Sequence, residues 1–293
     1  MPLTLSRRSD RIDAVTASPR FRCPVCRQPL ATADAGLSCA NGHHVDRARE
    51  GYVNLLPAGG RRPAGDDAAA VRARRALLDR GHYAPVARAV AAAVVAATPA
   101  ASAPGTPASP GAVLDAGCGE GTYLAAVTAA TGAAGWGVDV SKPAVRLAAR
   151  RHREHRYAVA SSLDLPFEDA VFDAVVSVFA PRAFAEFSRV LRPAGAIVLA
   201  SPGPDHLDAV RALLSRDARS AEARRHVAGD GVPPPLARDR VRYDLALTSR
   251  DEVADLVAMT PWQAFATPAQ LLEGLPGALT TTVDVWVTTH APG

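Results

Sequence analysis

An α/β protein, with a parallel sheet covered on both faces by helices and a small separate unit ahead of it, is the fold class this sequence predicts. Three observations carry that expectation. From residue 112 onward, short apolar runs alternate with helical stretches, the pattern of buried parallel strands joined by crossover helices. The first of these runs ends in a glycine-rich turn, Gly117-Cys118-Gly119-Glu120-Gly121, at the point where open α/β sheets carry their ligand crevice. Three of the four cysteines are crowded into residues 21–57, which sets that stretch apart from the rest of the chain.

In order along the chain, residues 1–20 are polar and rich in Arg, Ser and Asp without periodicity, and read as a flexible tail. Residues 21–57 form the compact cysteine-bearing unit, and residues 58–111 are a basic linker with helices. Within that linker Asp66-Asp67 can cap a helix carrying Val71, Leu77 and Leu78 among arginines. A second helix is expected from Tyr83 to Ala97, then a Pro/Ala/Ser/Gly loop over 98–111. Residues 112–293 form the main domain. Its predicted strands are Ala112–Ala116, Gly135–Val140, Arg156–Ala160, Phe172–Phe179, Ala196–Ser201, Arg242–Leu247 and Thr280–Thr289. The last of these is expected to be an antiparallel edge strand. Helices are expected around 121–131, 142–153, 183–191, 206–215 and 249–258.

Charge is unevenly placed. Residues 1–80 hold 14 arginines against 8 acidic residues, a net +6, whereas residues 81–293 hold 19 basic and 21 acidic groups, a net −2. A basic front on a slightly acidic body suits a polyanionic partner. No run approaches the roughly 20 apolar residues of a membrane span. No apolar stretch comes after the N-terminal arginines, so a cytoplasmic protein without a membrane partner is expected. Four cysteines in such a chain argue against a disulfide framework.

Cys23 and Cys26 are separated by two residues, Cys39 comes after twelve more, and His43 after a further three. Two close pairs on separate turns can supply the four ligands of a tetrahedral zinc ion, and three sulfurs with one imidazole leave no open position. A structural zinc is therefore expected, with His44 as a competing fourth ligand. In so short a segment, metal binding would provide on the order of 10 kcal/mol of folding free energy. The unit is expected to depend on that metal while the main domain keeps its cofactor site without it.

The glycine turn succeeds the strand Val113-Leu114-Asp115-Ala116, and the next strand ends at Asp139, 22 residues after Gly117. Glycines let backbone approach a bound nucleotide closely, and a carboxylate after the second strand can accept both ribose hydroxyls. An NAD site would share these features. The spacing here is G-x-G-x-G, with Asp115 two residues ahead of it, and this resembles motif I of the class I S-adenosylmethionine methyltransferases. Ser161-Ser162-Leu163-Asp164-Leu165-Pro166-Phe167 resembles that family's adenine-edge loop. Arg189-Val190-Leu191-Arg192-Pro193-Ala194-Gly195 resembles its turn into the fifth strand, with Ala194 in place of a glycine. The resemblance implies a Rossmann-like, seven-stranded sheet.

The order of parts is more specific. After the cysteine unit come Glu50-Gly51-Tyr52-Val53-Asn54-Leu55-Leu56-Pro57, then Ala73-Arg74-Arg75-Ala76-Leu77-Leu78-Asp79 and Gly81-His82-Tyr83. This resembles the RlmA group of 23S rRNA (guanine-N1)-methyltransferases, which act on hairpin 35, over residues 21 to about 290. By that resemblance Cys23, Cys26, Cys39 and His43 hold zinc. Tyr83, Asp115, Gly117, Gly119, Glu120, Gly121, Thr122, Asp139, Ser162, Leu163 and His206 hold S-adenosyl-L-methionine, and the zinc unit at 21–57 contacts the RNA together with Arg72, Arg74 and Arg75. Phe179, at the end of the fourth predicted strand, can stack on the target base, with a place in the core as the alternative. Glu186 and Asp205 are candidates, with His206, for the base that removes the guanine proton. A homodimer is compatible with the sequence. One branch of the group modifies position 745 and another position 748, the latter associated with tylosin resistance. Lys142 is the sole lysine among 33 basic residues, a GC-rich, actinobacterial composition that favours the 748 branch. A small-molecule methyltransferase with a zinc lid is the rival reading.

Overall fold

A computed structural model describes residues 18–57, 65–98, 111–213, 232–260 and 274–293. The linker at 58–64, most of the Pro/Ala loop and the end of the helix expected over 206–215 lie outside the described residues.

Three short antiparallel strands, β1 (Leu30–Ala33), β2 (Gly36–Cys39) and β3 (His44–Asp46), make a sheet in that order. Among the described residues the main sheet has eight strands. Five parallel ones, β5 (Ala112–Ala116), β6 (Ala134–Asp139), β7 (Arg156–Val159), β8 (Phe172–Val178) and β9 (Leu191–Pro202), are joined by antiparallel β10 (Ala237–Leu247) and β11 (Leu279–His290). The eighth, β4 (Val53–Asn54), comes from the front of the chain and pairs in parallel with β7. The spatial order is β10-β11-β9-β8-β5-β6-β7-β4. The expected seven strands are thus present and extended by one. Two residues without alternation gave no strand signal, and their pairing is decided by the exposed edge of β7.

The edge assignment needs correcting. β11 lies between β10 and β9, paired antiparallel to both, and β10 is the edge. Val283, Val285 and Val287 on β11 are buried, whereas Arg238, Asp239 and Arg240 on β10 are exposed. Charged residues are how natural edge strands resist further pairing.

Local sequence explains the helix ends. The Asp67 carboxylate accepts the amides of Ala69 and Ala70 at the start of α1 (Ala68–Asp79). Pro85 sits in the first turn of α2 (Ala84–Ala97), where its missing N–H costs nothing. Gly121 and Gly132, both at positive φ, bound α3 (Thr122–Thr131). Ser141 caps α4 (Lys142–Arg151), and Ser249 caps α7 (Arg250–Ala258). Two shorter helices, α5 (Phe184–Val190) and α6 (Asp208–Leu213), flank β9.

The two faces of the main sheet are covered differently. On one, Val113, Tyr157, Val176 and Val198 pack with Leu77, Val86, Val90, Leu124 and Val145 from α1 to α4. On the other, Leu114, Trp136, Val138, Val175 and Ile197 pack with Phe187 and Val190 of α5 and with Phe21, Cys23, Leu30, Leu37 and Leu55. Alternation along β5 sends Val113 to the first face and Ala112, Leu114 and Ala116 to the second. Helices on both faces were expected. Here the cysteine-bearing unit takes much of the second face, because its few large apolar residues have no core of their own to enter. Among the described residues no helix is long and apolar enough to cross a membrane.

Candidate active site and metal centre

The four predicted ligands meet. One donor atom from each of Cys23, Cys26, Cys39 and His43 lies within 4.8 Å of all the others. Cys26 Sγ is 3.6 Å from Cys39 Sγ, and Cys39 Sγ is 3.4 Å from His43 Nδ1. Bonds of about 2.3 Å to sulfur and 2.0–2.1 Å to nitrogen give tetrahedral edges of about 3.8 and 3.5 Å. The donor set therefore fits zinc in geometry and chemistry. The Gln28 amide, with help from His43 and the other cysteines, holds the Cys26 thiol down to about 6, which favours the thiolate a metal needs. His44 is elsewhere: its Nδ1 is 2.9 Å from Ser38 Oγ and its Nε2 3.3 Å from Asp46. His43, and not His44, is the imidazole that meets the three cysteines.

The carboxyl ends of β5, β6 and β8 open into a cleft of about 430 Å³. Gly117, Gly119, Glu120, Asp139, Ser162, Leu163, Tyr83 and His206 line it, so most of the predicted cofactor residues converge. The glycine turn is shaped for close approach. Gly117 has φ +94°, and a Cβ there would collide with the Ala180 methyl. Asp139 anchors the turn: its Oδ2 accepts the Gly119 amide at 2.9 Å and its Oδ1 accepts the Ser141 amide at 2.8 Å. Each oxygen keeps acceptor capacity for a further partner.

Asp115, Gly121 and Thr122 stand behind the lining rather than on it. Asp115 is 1% exposed, neither of its oxygens has a partner within hydrogen-bond geometry, and the Leu124 amide reaches it only weakly. Burial, then the nearby Asp139 and Glu120, push its carboxyl up to about 8. Burial likewise raises Asp139. Three carboxyl groups gathered in so little water suit a cationic ligand, and the ammonium of S-adenosylmethionine is such a group. The Tyr83 hydroxyl is also buried without a partner at the cleft. Together with the turn, these groups fit the cofactor.

The mouth of the cleft is aromatic. Phe179 is 40% exposed, and its ring stacks on His206 at 5.6 Å and meets Tyr83 edge-on at 6.2 Å. Its φ of +54° is a left-handed conformation that bulky residues rarely adopt, a strain of the kind found at functional sites. His206 Nδ1 accepts the Asp284 amide at 3.2 Å, so the neutral ring carries its proton on Nε2.

Three other expectations meet a different setting. Glu186 accepts the Leu165 amide and pairs with Arg189, while Asp205 pairs with Arg240 and Arg242. Neither lines the cleft. Of the three α1 arginines only Arg72 is exposed. Arg75 pairs with Asp79 and reaches Thr122 Oγ1 at 3.4 Å. Arg74 lines the cleft itself, paired with Asp66 and close to Gly119. Sequence reasoning missed Asp66, Tyr123, Met259 and Thr260 as lining residues. For Arg74 a signal existed, since it falls within the Ala70, Ala73, Leu77 stripe that α1 buries.

Comparison with known proteins agrees with this geometry. Residues 21–62 match the family described as RlmA, N-terminal, and residues 113–195 match a family described as methyltransferase domain. A Streptomyces fradiae protein named 23S rRNA (guanine(748)-N(1))-methyltransferase is 39% identical over 284 residues, covering 93% of this chain and 96% of its own. A provisionally named 23S rRNA (guanine-N(1)-)-methyltransferase of Micromonospora griseorubida is 42% identical, covering 86% and 90%. A Bacillus subtilis protein provisionally given the same activity is 31% identical, covering 91% and 96%. With a fitting metal centre, a fitting cofactor cleft and relatives aligned across nearly the whole chain, this protein belongs to the RlmA family of S-adenosylmethionine-dependent 23S rRNA (guanine-N1)-methyltransferases.

Proposed function

We propose that the chain methylates N1 of guanine 748 in hairpin 35 of 23S rRNA, and that this protects the ribosome against tylosin-type macrolides. The observation that carries the position is the near full-length similarity to the Streptomyces fradiae protein named for it. When bound, S-adenosylmethionine supplies a methyl group activated by a positive sulfur.

The chain's own residues hold and orient. Asp139 would accept the ribose hydroxyls on lone pairs left by Gly119 and Ser141, and Ser162 and Leu163 would border the adenine. Asp115 and Glu120 compensate the ammonium. Arg74, on the cleft side of α1, would pair with the cofactor's carboxylate. Phe179 offers the target guanine a ring at the mouth, and stacking of this kind is worth about 1–3 kcal/mol per base. Guanine N1 carries a proton at neutral pH and must lose it for the nitrogen lone pair to react. Glu186 and Asp205 are committed to ion pairs outside the cleft lining, so neither is proposed as the acceptor. Arg72 is proposed to meet the RNA backbone.

Primer extension through hairpin 35 tests the assignment, because a methyl on N1 blocks the Watson–Crick edge and stops the polymerase. RNA from cells that carry this protein should show a stop at 748 that cells without it lack. A stop at 745 instead would assign the neighbouring guanine, and no new stop would overturn the reading.

A further inference from the structure

The adenine-edge loop, Ser161–Phe167, is gripped from two sides. On one side α5 holds it: the Leu165 amide donates to Glu186, and Arg189 donates to the carbonyls of Leu165 and Phe167 at 3.0 and 2.9 Å. On the other side the grip comes from the metal unit. The Arg22 amide donates to the Pro166 carbonyl at 2.8 Å, Phe21 and Phe167 form a bridge with their rings 5.2 Å apart, and Arg27 Nη2 lies 2.5 Å from Asp164 Oδ2.

Arg27 stands immediately after the ligand Cys26. Its amide donates to the Cys23 carbonyl at 2.9 Å, and its own carbonyl accepts Arg22 Nε at 2.8 Å. Its φ is +62°, a left-handed turn that a long side chain takes only when its surroundings demand it. Two metal ligands, Cys23 and Cys26, close that turn. Asp164, at the far end of the ion pair, is the neighbour of Leu163, which lines the cofactor cleft. The route from metal to cofactor site is therefore one knuckle, one ion pair and one peptide bond.

We propose that the zinc unit positions the cofactor site, with the ligated knuckle Cys23–Arg27 holding Ser161–Asp164 in the conformation that receives the adenosine part of S-adenosylmethionine. Arg27 is a positioning residue here and touches no cofactor atom. The proposal rests on the cofactor site described above. It reverses the expectation that the cofactor site is indifferent to the metal unit. If the loop without its knuckle holds the competent conformation about a tenth of the time, apparent affinity falls about tenfold.

The test measures S-adenosylhomocysteine binding to the full-length, zinc-loaded chain by calorimetry, alongside zinc content and thermal unfolding. Arg27→Glu should weaken binding by about two- to fivefold, the range of an exposed ion pair, with zinc content and melting temperature unchanged. The charge exchange Arg27→Glu with Asp164→Arg should restore it, which a merely damaged knuckle would not. Chelation of the zinc should weaken binding further, since the Arg22–Pro166 contact is then released as well. Unchanged affinity in Arg27→Glu, or failure of the exchange to restore a loss, overturns the proposal. So does unchanged affinity in zinc-free protein that remains folded, and where zinc-free protein unfolds the Arg27 pair decides. No binding by the unaltered chain would instead overturn the cofactor site itself, and the proposal with it.

Discussion

The two faces of the main sheet are built by different physics. On the helical face, α1 to α4 bring Leu77, Val86, Val90 and Val145, all fully buried, and α1 and α4 carry side-chain caps of their own at Asp67 and Ser141. On the other face, strands of only four residues bring Leu30 and Leu37, and an isolated bridge brings Phe21. Each such residue contributes about 1.5–3 kcal/mol on burial, too little for an independent domain of this size. The metal fixes the local geometry and the sheet provides the burial, so neither partner is complete alone. A face held by one ion is more cooperative than a face held by many side chains. The cofactor loop lies at the edge of the cooperative one.

Removing the metal should therefore have the largest effect. Chelation, or Cys39→Ser, withdraws binding free energy on the order of 10 kcal/mol and should strip Phe21, Leu30 and Leu37 from the sheet together. Leu77→Ala on the helical face should cost about 2–5 kcal/mol, the usual range for a buried leucine. Calorimetric melting of the two variants checks the ranking. Equal destabilisation, with zinc loss verified by elemental analysis, would erase the distinction between the faces.

Asp139→Ala comes next. It removes the proposed acceptor of two ribose hydroxyls and frees the Gly119 and Ser141 amides at once. Loss of a charged hydrogen-bonding partner costs roughly 1.5–3 kcal/mol, so S-adenosylhomocysteine affinity should fall about ten- to a hundredfold. Since Asp139 belongs to the helix-and-sheet side of the cleft, zinc content should not change. Unaltered affinity would show that the carboxylate is spent on the turn alone.

A smaller effect should track pH through Asp115. Burial and the neighbouring acids push its carboxyl up to about 8, above the value of about 3.9 expected unfolded. An acid raised in this way costs no stability below the unfolded value, and the cost grows as pH rises until it is complete above the folded value. A bound ammonium favours the ionised form and so offsets that cost. Binding should then release a proton between about pH 4 and 8, and affinity should climb with pH in that window by at most about tenfold per unit. Calorimetry in buffers of different ionisation enthalpy measures the proton. Asp115→Asn should abolish its release, and persistence of the release would assign it to another group.

What could be read from the sequence, and what could not, divides along the same two faces. Ala112–Ala116 and its glycine turn were legible because an apolar strand, positive-φ glycines and an acid 22 residues on are all local signals. The three zinc-ligating cysteines were legible from spacing, whereas His43 and His44 were separated only by the contacts of the His44 ring with Ser38 and Asp46. Non-local partnerships were not legible. Val53-Asn54 is a strand only because β7 offers an edge, and Phe21 is core only because Trp136 and Phe167 receive it. Glu186 read as a catalytic candidate, but it pairs with Arg189 across a single helical turn and braces the Leu165 amide. Arg74 read as one of three RNA contacts because charge suggests a surface, whereas its place in the apolar stripe of α1 turns it inward.

The α1 arginines should give the smallest effect. Successive residues on a helix diverge by about 100°, so Arg72 and Arg74 face nearly opposite directions while Arg75 lies to one side. Arg74 and Arg75 already face the cleft and Thr122, and Arg72 is left exposed. If the basic front meets a phosphate backbone, Arg72→Ala should lower the slope of log affinity against log salt by about 0.7–0.9, the signature of one lost phosphate contact. The change in affinity should be modest and cofactor affinity should not move. Arg74→Ala should do the reverse, weakening S-adenosylhomocysteine while leaving the salt slope of RNA binding intact. Binding of a hairpin 35 RNA at several salt concentrations, beside calorimetry with the cofactor product, reads both arms. If Arg74→Ala flattens the salt dependence and spares the cofactor, the helix turns toward the RNA and the inward reading of Arg74 fails. If Arg72→Ala leaves the slope unchanged, the RNA path does not cross α1, and the net +6 of residues 1–80 must act through the arginines outside that helix.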